Sequence, residues 1–176
     1  GDLVTGRIGK AIDFDEVDDY IDFASTDIGD TFTIEAWIKP DSSDTTIQTI
    51  AANHSARSIT DGYRFFINSS GTTDGKIVLE TGNGVSGDSA ATATGVINFD
   101  QWNHVAVEVD RVGGTATIYH NGVDVTVDGT IRTDFDTFSD WEIGRMEGGQ
   151  HFNGVIDEFR IASVAHSADW LGVCFQ

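Results

Sequence analysis

Apolar positions along the chain recur with a period of two. Residues 31–39 read Thr-Phe-Thr-Ile-Glu-Ala-Trp-Ile-Lys, with Phe32, Ile34 and Ala36 on one face. Residues 102–111 set Val105, Val107 and Val109 against Trp102, His104, Ala106 and Glu108. Successive side chains of a strand point to opposite faces, so this alternation marks half-buried strands. The same reading predicts strands over 10–14, 18–23, 46–52, 62–68, 76–80, 115–120, 123–127, 139–145 and 152–162. Asn121-Gly122 joins two of them and is a two-residue hairpin signal. Residues 82–96, rich in Gly, Ser, Ala and Thr, read as a long loop with one short strand inside. Ser167 is placed to cap a short helical turn over 168–170.

Long helical patterns between the strands are missing, which excludes a parallel βαβ architecture. Turns rest on 20 glycines and a single proline, Pro40. The expectation is an all-β antiparallel sandwich forming one domain over residues 1–176. A chain of this length buries roughly two-thirds of its unfolded surface and needs no disulfide staples. Cys174 is the only cysteine, so no internal disulfide forms.

Charge narrows the function classes. Ten basic and 29 acidic residues give a net charge of −19. Phosphate backbones are repelled by such a surface, so nucleic acid is not an expected partner. Anionic membrane surfaces are disfavoured likewise, and no apolar run approaches the roughly 20 residues of a membrane span. Gly1-Asp2-Leu3 opens the sequence without an apolar leader, so a secreted origin implies a mature or excised form.

Four stretches, in order, carry a resemblance. They are Gly9-Lys10-Ala11-Ile12-Asp13-Phe14-Asp15 with Asp18-Asp19-Tyr20-Ile21, and Phe32-Thr33-Ile34-Glu35-Ala36-Trp37-Ile38-Lys39-Pro40. Then come Trp102-Asn103-His104-Val105-Ala106 leading to Tyr119-His120-Asn121-Gly122, and Ile143-Gly144-Arg145 with Phe152-Asn153-Gly154-Val155-Ile156-Asp157-Glu158-Phe159-Arg160-Ile161. Together they resemble the laminin-G-like, concanavalin A-like lectin/glucanase superfamily, in its bacterial form. The resemblance implies a two-sheet jelly roll of about a dozen antiparallel strands. It also implies ligand contacts in rim loops or across a concave sheet: Asn53, His54, Arg57, Tyr63, Arg64, Arg145, Gln150 and His151. Arg57, Arg64 and Arg145 could grip the carboxylate of an acidic sugar. A structural calcium tying the terminal strands together carries over to Asp15, Asp18, Asp19 and Asp157.

A sugar platform needs an aromatic face against the ring C–H groups. Trp37 and Trp102 fall in strand motifs and Trp170 in the C-terminal turn, leaving Trp141, Tyr63 and Phe152 as aromatics whose exposure decides the matter. Glycosidases need paired carboxylates facing one cleft. Glu108 and Asp110 share a face, but Gly113 stands where a third acid is needed, and Ile21 likewise after Glu16 and Asp18. The five histidines are scattered without metal-ligand spacing. Ser25–Phe32 fits a propeller Asp-box only once, and reads as a turn before a strand.

The expected protein is a non-catalytic carbohydrate-binding or adhesion module, calcium-stabilised. It would lie outside the cell or on its surface, as a monomeric unit of a larger chain, with a glycan or an extracellular protein as partner. The alternative is a structural or protein-interaction domain without a sugar site.

Overall fold

The computed structural model describes residues 1–24, 26–53, 61–137, 140–146 and 149–174. In chain order the strands are β1 (Asp2–Thr5), β2 (Lys10–Asp15), β3 (Ile21–Phe23), β4 (Thr31–Pro40), β5 (Gln48–Ala52), β6 (Asp61–Ile67) and β7 (Ile77–Asn83). They continue as β8 (Gly87–Thr92), β9 (Asn103–Asp110), β10 (Thr115–His120), β11 (Val123–Asp124), β12 (Thr126–Asp128), β13 (Trp141–Ile143) and β14 (Asn153–Ala162), followed by helix α1 (Ala168–Cys174). Two seven-stranded antiparallel sheets form, in the orders β1-β2-β14-β4-β9-β10-β11 and β12-β8-β7-β6-β5-β13-β3.

The alternation decides which side chains meet between the sheets. Phe32, Ile34, Ala36 and Ile38 of β4 and Val105, Val107 and Val109 of β9 face Tyr63, Phe65 and Ile67 of β6 and Ile77 and Leu79 of β7. Aromatic rings knit the layers, with Phe32 and Tyr63 at 5.3 Å and Tyr63 edge-on to Trp141 at 4.9 Å. Each such pair adds roughly 0.5–1.5 kcal/mol beyond area burial.

Three local readings change. β1 has too few apolar residues to show in the pattern, yet it pairs with β2 from Asp2↔Asp13 to Thr5↔Lys10. The one short strand expected inside 82–96 is β8, but β7 runs past the expected end at Glu80 to Asn83, whose Oδ1 takes the N–H groups of Val85 and Ser86 to make the turn. The strand expected at 123–127 divides. Val123–Asp124 pairs with β10, whereas Thr126–Asp128 joins β8 in the other sheet. Asp124 makes the break, its Oδ1 accepting the Thr126 N–H at 2.9 Å.

The outward face of the first sheet is covered by the chain's own C-terminal strap. Thr33 Oγ1 donates to the Val164 carbonyl at 2.8 Å and accepts the His166 N–H at 3.0 Å. Helix α1 is capped as expected, Ser167 Oγ taking the Trp170 N–H at 3.3 Å, and it lowers Leu171 onto Ala106 and Tyr119. On the same face Glu35 and His104 are buried side by side, Oε2 to Nε2 at 3.3 Å, with Trp37 edge-on to the imidazole and Arg7 over the indole ring.

Candidate functional site

On the second sheet, strand registry builds a row of outward side chains across five strands. Glu80 stands opposite Arg64, Arg64 opposite Ala52, Ala52 opposite Glu142, and Glu142 opposite Asp22. These positions face outward because their neighbours Tyr63, Phe65, Leu79 and Trp141 fill the core. Beside this charged row lies an apolar one, where Phe66, Val78 and Ala91 pack together with Ile47. On its other flank Gly62, Gly82 and Gly87 carry no side chains.

Arg64 organises the face. Its guanidinium lies 4.5 Å above the Phe66 ring, donates to Glu80 Oε2 at 2.6 Å, and donates to Gln150 Oε1. The same nitrogen that reaches Gln150 also meets Met146 Sδ at 3.3 Å. Met146 follows Gly144, which has a φ of 83° and where a Cβ would run into the Phe14 ring. Further along the row, Arg145 donates to Glu142 Oε1 at 3.0 and 2.7 Å and stacks over Tyr20 at 3.2 Å from its centroid. The other Glu142 oxygen, Oε2, is enclosed and has no hydrogen-bond partner. Glu80 and Arg145 remain about a quarter exposed on their side chains. The face can therefore offer carboxylate acceptors and guanidinium donors beside an apolar strip, which is the chemistry of a hydroxyl-rich ligand.

The expected contact residues divide. Arg64 and Gln150 meet directly, and Arg145 lies at the other end of the same row. His151 follows Gln150 half-buried, its Nδ1 without a partner. Asn53 and Tyr63 are structural instead. Asn53 is fully buried, its Oδ1 accepting the Tyr63 N–H at 2.7 Å and its Nδ2 donating to the Asp136 carbonyl at 3.1 Å. Tyr63 points between the sheets, and burial, then the Asp136 charge, push its phenol well above the ordinary value. His54 and Arg57 lie outside the described residues. Trp141 and Phe152 are fully buried, so neither supplies a platform, while Trp170 is 41% exposed and packs edge-on to His166. Arg64 and Arg145, expected to grip an acidic sugar, each already pair with a carboxylate, Glu80 and Glu142 respectively.

Sequence reading missed Phe66, Glu80, Glu142, Tyr20 and Met146. The signal was present for two of them: within 62–68 and 76–80, Phe66 and Glu80 are out of phase with the core positions. Nothing local marks Glu142, recruited by registry, or Met146, recruited by its contact with Arg64.

The acids expected to hold calcium also divide. Asp15, Asp18 and Asp19 bring carboxylate oxygens within 4.8 Å of one another. Their oxygens already serve local donors, Asp15 Oδ1 taking the Val17 N–H at 3.0 Å, Asp19 Oδ2 the Asp15 N–H at 3.2 Å, and Asp19 Oδ1 the Gly1 ammonium. Asp157 is not with them. It is buried on β14, its Oδ2 accepting the Ile8 N–H at 2.8 Å and its Oδ1 the Glu158 N–H at 2.9 Å. In registry Asp15 faces Asn153, four residues from Asp157, which explains the separation.

Two antiparallel seven-stranded sheets stacked around one apolar layer, with a polar row on an outer face, define a lectin-type β-sandwich. A family model described as the concanavalin A-like lectin/glucanases superfamily matches residues 15–172, and the chain belongs to that superfamily. No curated protein sequence matches the chain. Among solved structures it is similar to Domain 4 of AbnA, an extracellular arabinanase from Geobacillus stearothermophilus, in complex with arabinotriose. That likeness has a TM-score of 0.75 at 21% identity, over 99% of this chain and 80% of the other. It is also similar to the CBM40 of the Ruminococcus gnavus IT-sialidase bound to α2,3-sialyllactose, with a TM-score of 0.66 at 16% identity over 89% and 98% of the two chains. A third is the heptameric SAP-like pentraxin of Limulus polyphemus, with a TM-score of 0.69 at 15% identity over 94% and 81%. No helix among the described residues is long and apolar enough to cross a membrane.

Proposed function

We propose that this chain is a non-catalytic glycan-binding module that works outside the cell as part of a larger protein. In this reading it takes a neutral, hydroxyl-rich saccharide on the outward face of the second sheet. The carrying observation is the charged row itself: Glu80, Arg64 and Glu142 aligned across the sheet, with the Glu80 carboxylate and the Arg145 guanidinium partly exposed at its two ends. Sugar hydroxyls can donate to the one and accept from the other. Neutral rather than acidic sugars follow from the arginines' existing carboxylate partners and from a net charge of −19, which repels anionic ligands. The arabinotriose complex of the similar arabinanase domain supports a neutral saccharide, and the sialyllactose complex of the similar CBM40 makes the acidic alternative the one to test against. Calcium enters this reading as a structural ion at Asp15, Asp18 and Asp19.

A glycan array with and without calcium tests the reading, followed by titration of Glu142→Gln and Glu80→Gln against the best neutral hit. The expected result is neutral-glycan binding weakened about tenfold by either change. Silence across neutral and acidic glycans overturns it. Burial of Trp141, Tyr63 and Phe152 favours a second reading, a protein-interaction domain without a sugar site. That silence, together with binding to an extracellular protein, would select it.

A further inference from the structure

β3 is the outermost strand of the second sheet. It pairs with β13 on one side, from Ile21↔Ile143 to Phe23↔Trp141, and with no described strand on the other. In an antiparallel strand alternate residues turn their N–H and C=O groups to opposite sides. Part of the β3 backbone therefore points away from β13, and among the described residues no other backbone hydrogen bond engages Ile21, Asp22 or Phe23.

The space beside this edge is not filled. Ile21 packs on the core and Phe23 stacks on Trp141 at 5.9 Å, which turns both side chains to the inner side of the sheet. Each borders a recess. The one at Ile21, about 170 Å³, is walled by Ile12, Phe14, Ile143, Ile156 and Phe159. The one at Phe23, about 270 Å³, is bordered by Ile28, Trp141 and Ile161, with Thr26, Asp27 and Ser163. β14 supplies Ile156 and Phe159 to the first and Ile161 to the second, so both recesses lie in the slot between β3 and β14. A bulge in β14 contributes to the slot: its register with β4 shifts between Asp157 and Arg160, where Glu158 has a φ of 49°. Bulges re-aim the side chains around them.

A dry cavity of about 150 Å³ takes a benzene ring, so either recess has room for one large apolar side chain. Side chains two apart in a strand share a face and lie about 6.8 Å apart, as Ile21 and Phe23 do. A strand laid along the open edge of β3 would present residues i and i+2 to the two recesses while its backbone met the open N–H and C=O groups. The residue between them would turn outward beside Asp22, which is exposed. Asp27 and Glu158 border the recesses, where Lys10 is the one cation among the described residues.

We propose that the β3 edge docks an extended segment of a partner protein that alternates apolar and basic residues, adding a strand to the second sheet. Its apolar side chains fill the two recesses, and a lysine or arginine between them pairs with Asp22. The proposal does not rest on the glycan reading, and none of Arg64, Glu80 or Gln150 borders either recess.

The probe is a fluorescein-labelled peptide, Thr-Lys-Phe-Lys-Leu-Lys-Thr, titrated with the whole chain at physiological salt. Its controls are a scrambled peptide of equal charge with Phe and Leu adjacent, and two copies N-methylated on one or the other alternating set of amides. The ordered peptide should bind saturably and slow amide exchange at residues 21–23. The scrambled peptide and one N-methylated copy should bind tenfold or more weakly, while the other copy binds normally, because only one set of amides faces β3. Asp22→Lys should weaken binding about threefold. No binding, equal binding of ordered and scrambled peptides, or equal behaviour of the two N-methylated copies would overturn the proposal. So would slowed exchange at 21–23 brought about by self-association of the chain alone, or by arabinotriose, since either assigns the edge to another occupant.

Discussion

The two outward faces of the sandwich arise from the same alternating strands and end up unlike each other. On the first sheet the chain returns over itself, and the strap from Val164 to Leu171 packs on Thr33, Ala106 and Tyr119. On the second sheet Arg64 and Phe66 are buried too, but no helix among the described residues lies over them or Glu80. They are held by one another, by Gln150 and by Met146, and Glu80 and Arg145 keep a quarter of their side chains in solvent. Covering a face turns its polar residues into structure, whereas leaving it partly open keeps them available.

Removing the cover is the largest perturbation that tests this contrast. Leu171→Ala deletes the fully buried side chain that seats the strap and should cost about 2–4 kcal/mol in urea unfolding while leaving sugar affinity unchanged. A loss of sugar binding in that variant would place the ligand on the wrong face in this account. On the open face, Arg64→Lys keeps the charge but cannot serve Glu80, Gln150 and the Phe66 ring together. Stability should fall by about 1–2 kcal/mol, with a tenfold or greater loss of affinity read by calorimetry.

Asp44 lies buried in the crossing from β4 of the first sheet to β5 of the second and sharpens the comparison through pH. The Asp44 carboxyl is raised from 3.8 to about 6 in the folded state, so its ionisation lowers stability as pH climbs from about 4 through about 6. Below pH 4 the group is protonated in both states and contributes nothing. Asp44→Asn should gain about 1 kcal/mol at pH 7.5 after solvent screening and nothing at pH 3.5, measured as paired denaturant midpoints. The smallest effect belongs to the strap's helix: Ser167→Ala removes the cap on Trp170 and should cost about 0.5–1 kcal/mol, visible as faster amide exchange in α1.

Much of this was legible in the residues themselves. The period of two identified β4, β6, β9 and β14, because each places large apolar groups on one side of the backbone. Arg64, Arg145 and Gln150 could be singled out only through the family resemblance, which points to rim loops and the sheet surface, and the fold brings Arg64 and Gln150 together. Asn53 and Tyr63 were misread for a physical cause: polar atoms at strand ends can be spent on backbone N–H groups and on ring packing, and only the fold reveals which. Glu142 was invisible because its partner across Ala52, Arg64, is 78 positions away in the chain, and registry between distant strands has no local signature. The division of 123–127 between two sheets depends on one Asp124 side chain capturing the Thr126 N–H, a choice that hydrophobic patterning does not record. Asp157 was grouped with Asp15 by resemblance, and the antiparallel pairing of β14 with β2 sets them apart.

Backbone amide shifts followed during titration with arabinotriose, in parallel with α2,3-sialyllactose, probe the uncovered face most directly. Changes clustered on β6, β7 and β13 around Arg64, Glu80 and Glu142 with the neutral sugar, and none beneath the strap, are the predicted result. Changes centred on Trp37, His104 and the 163–174 strap, or no change with either sugar, would contradict it.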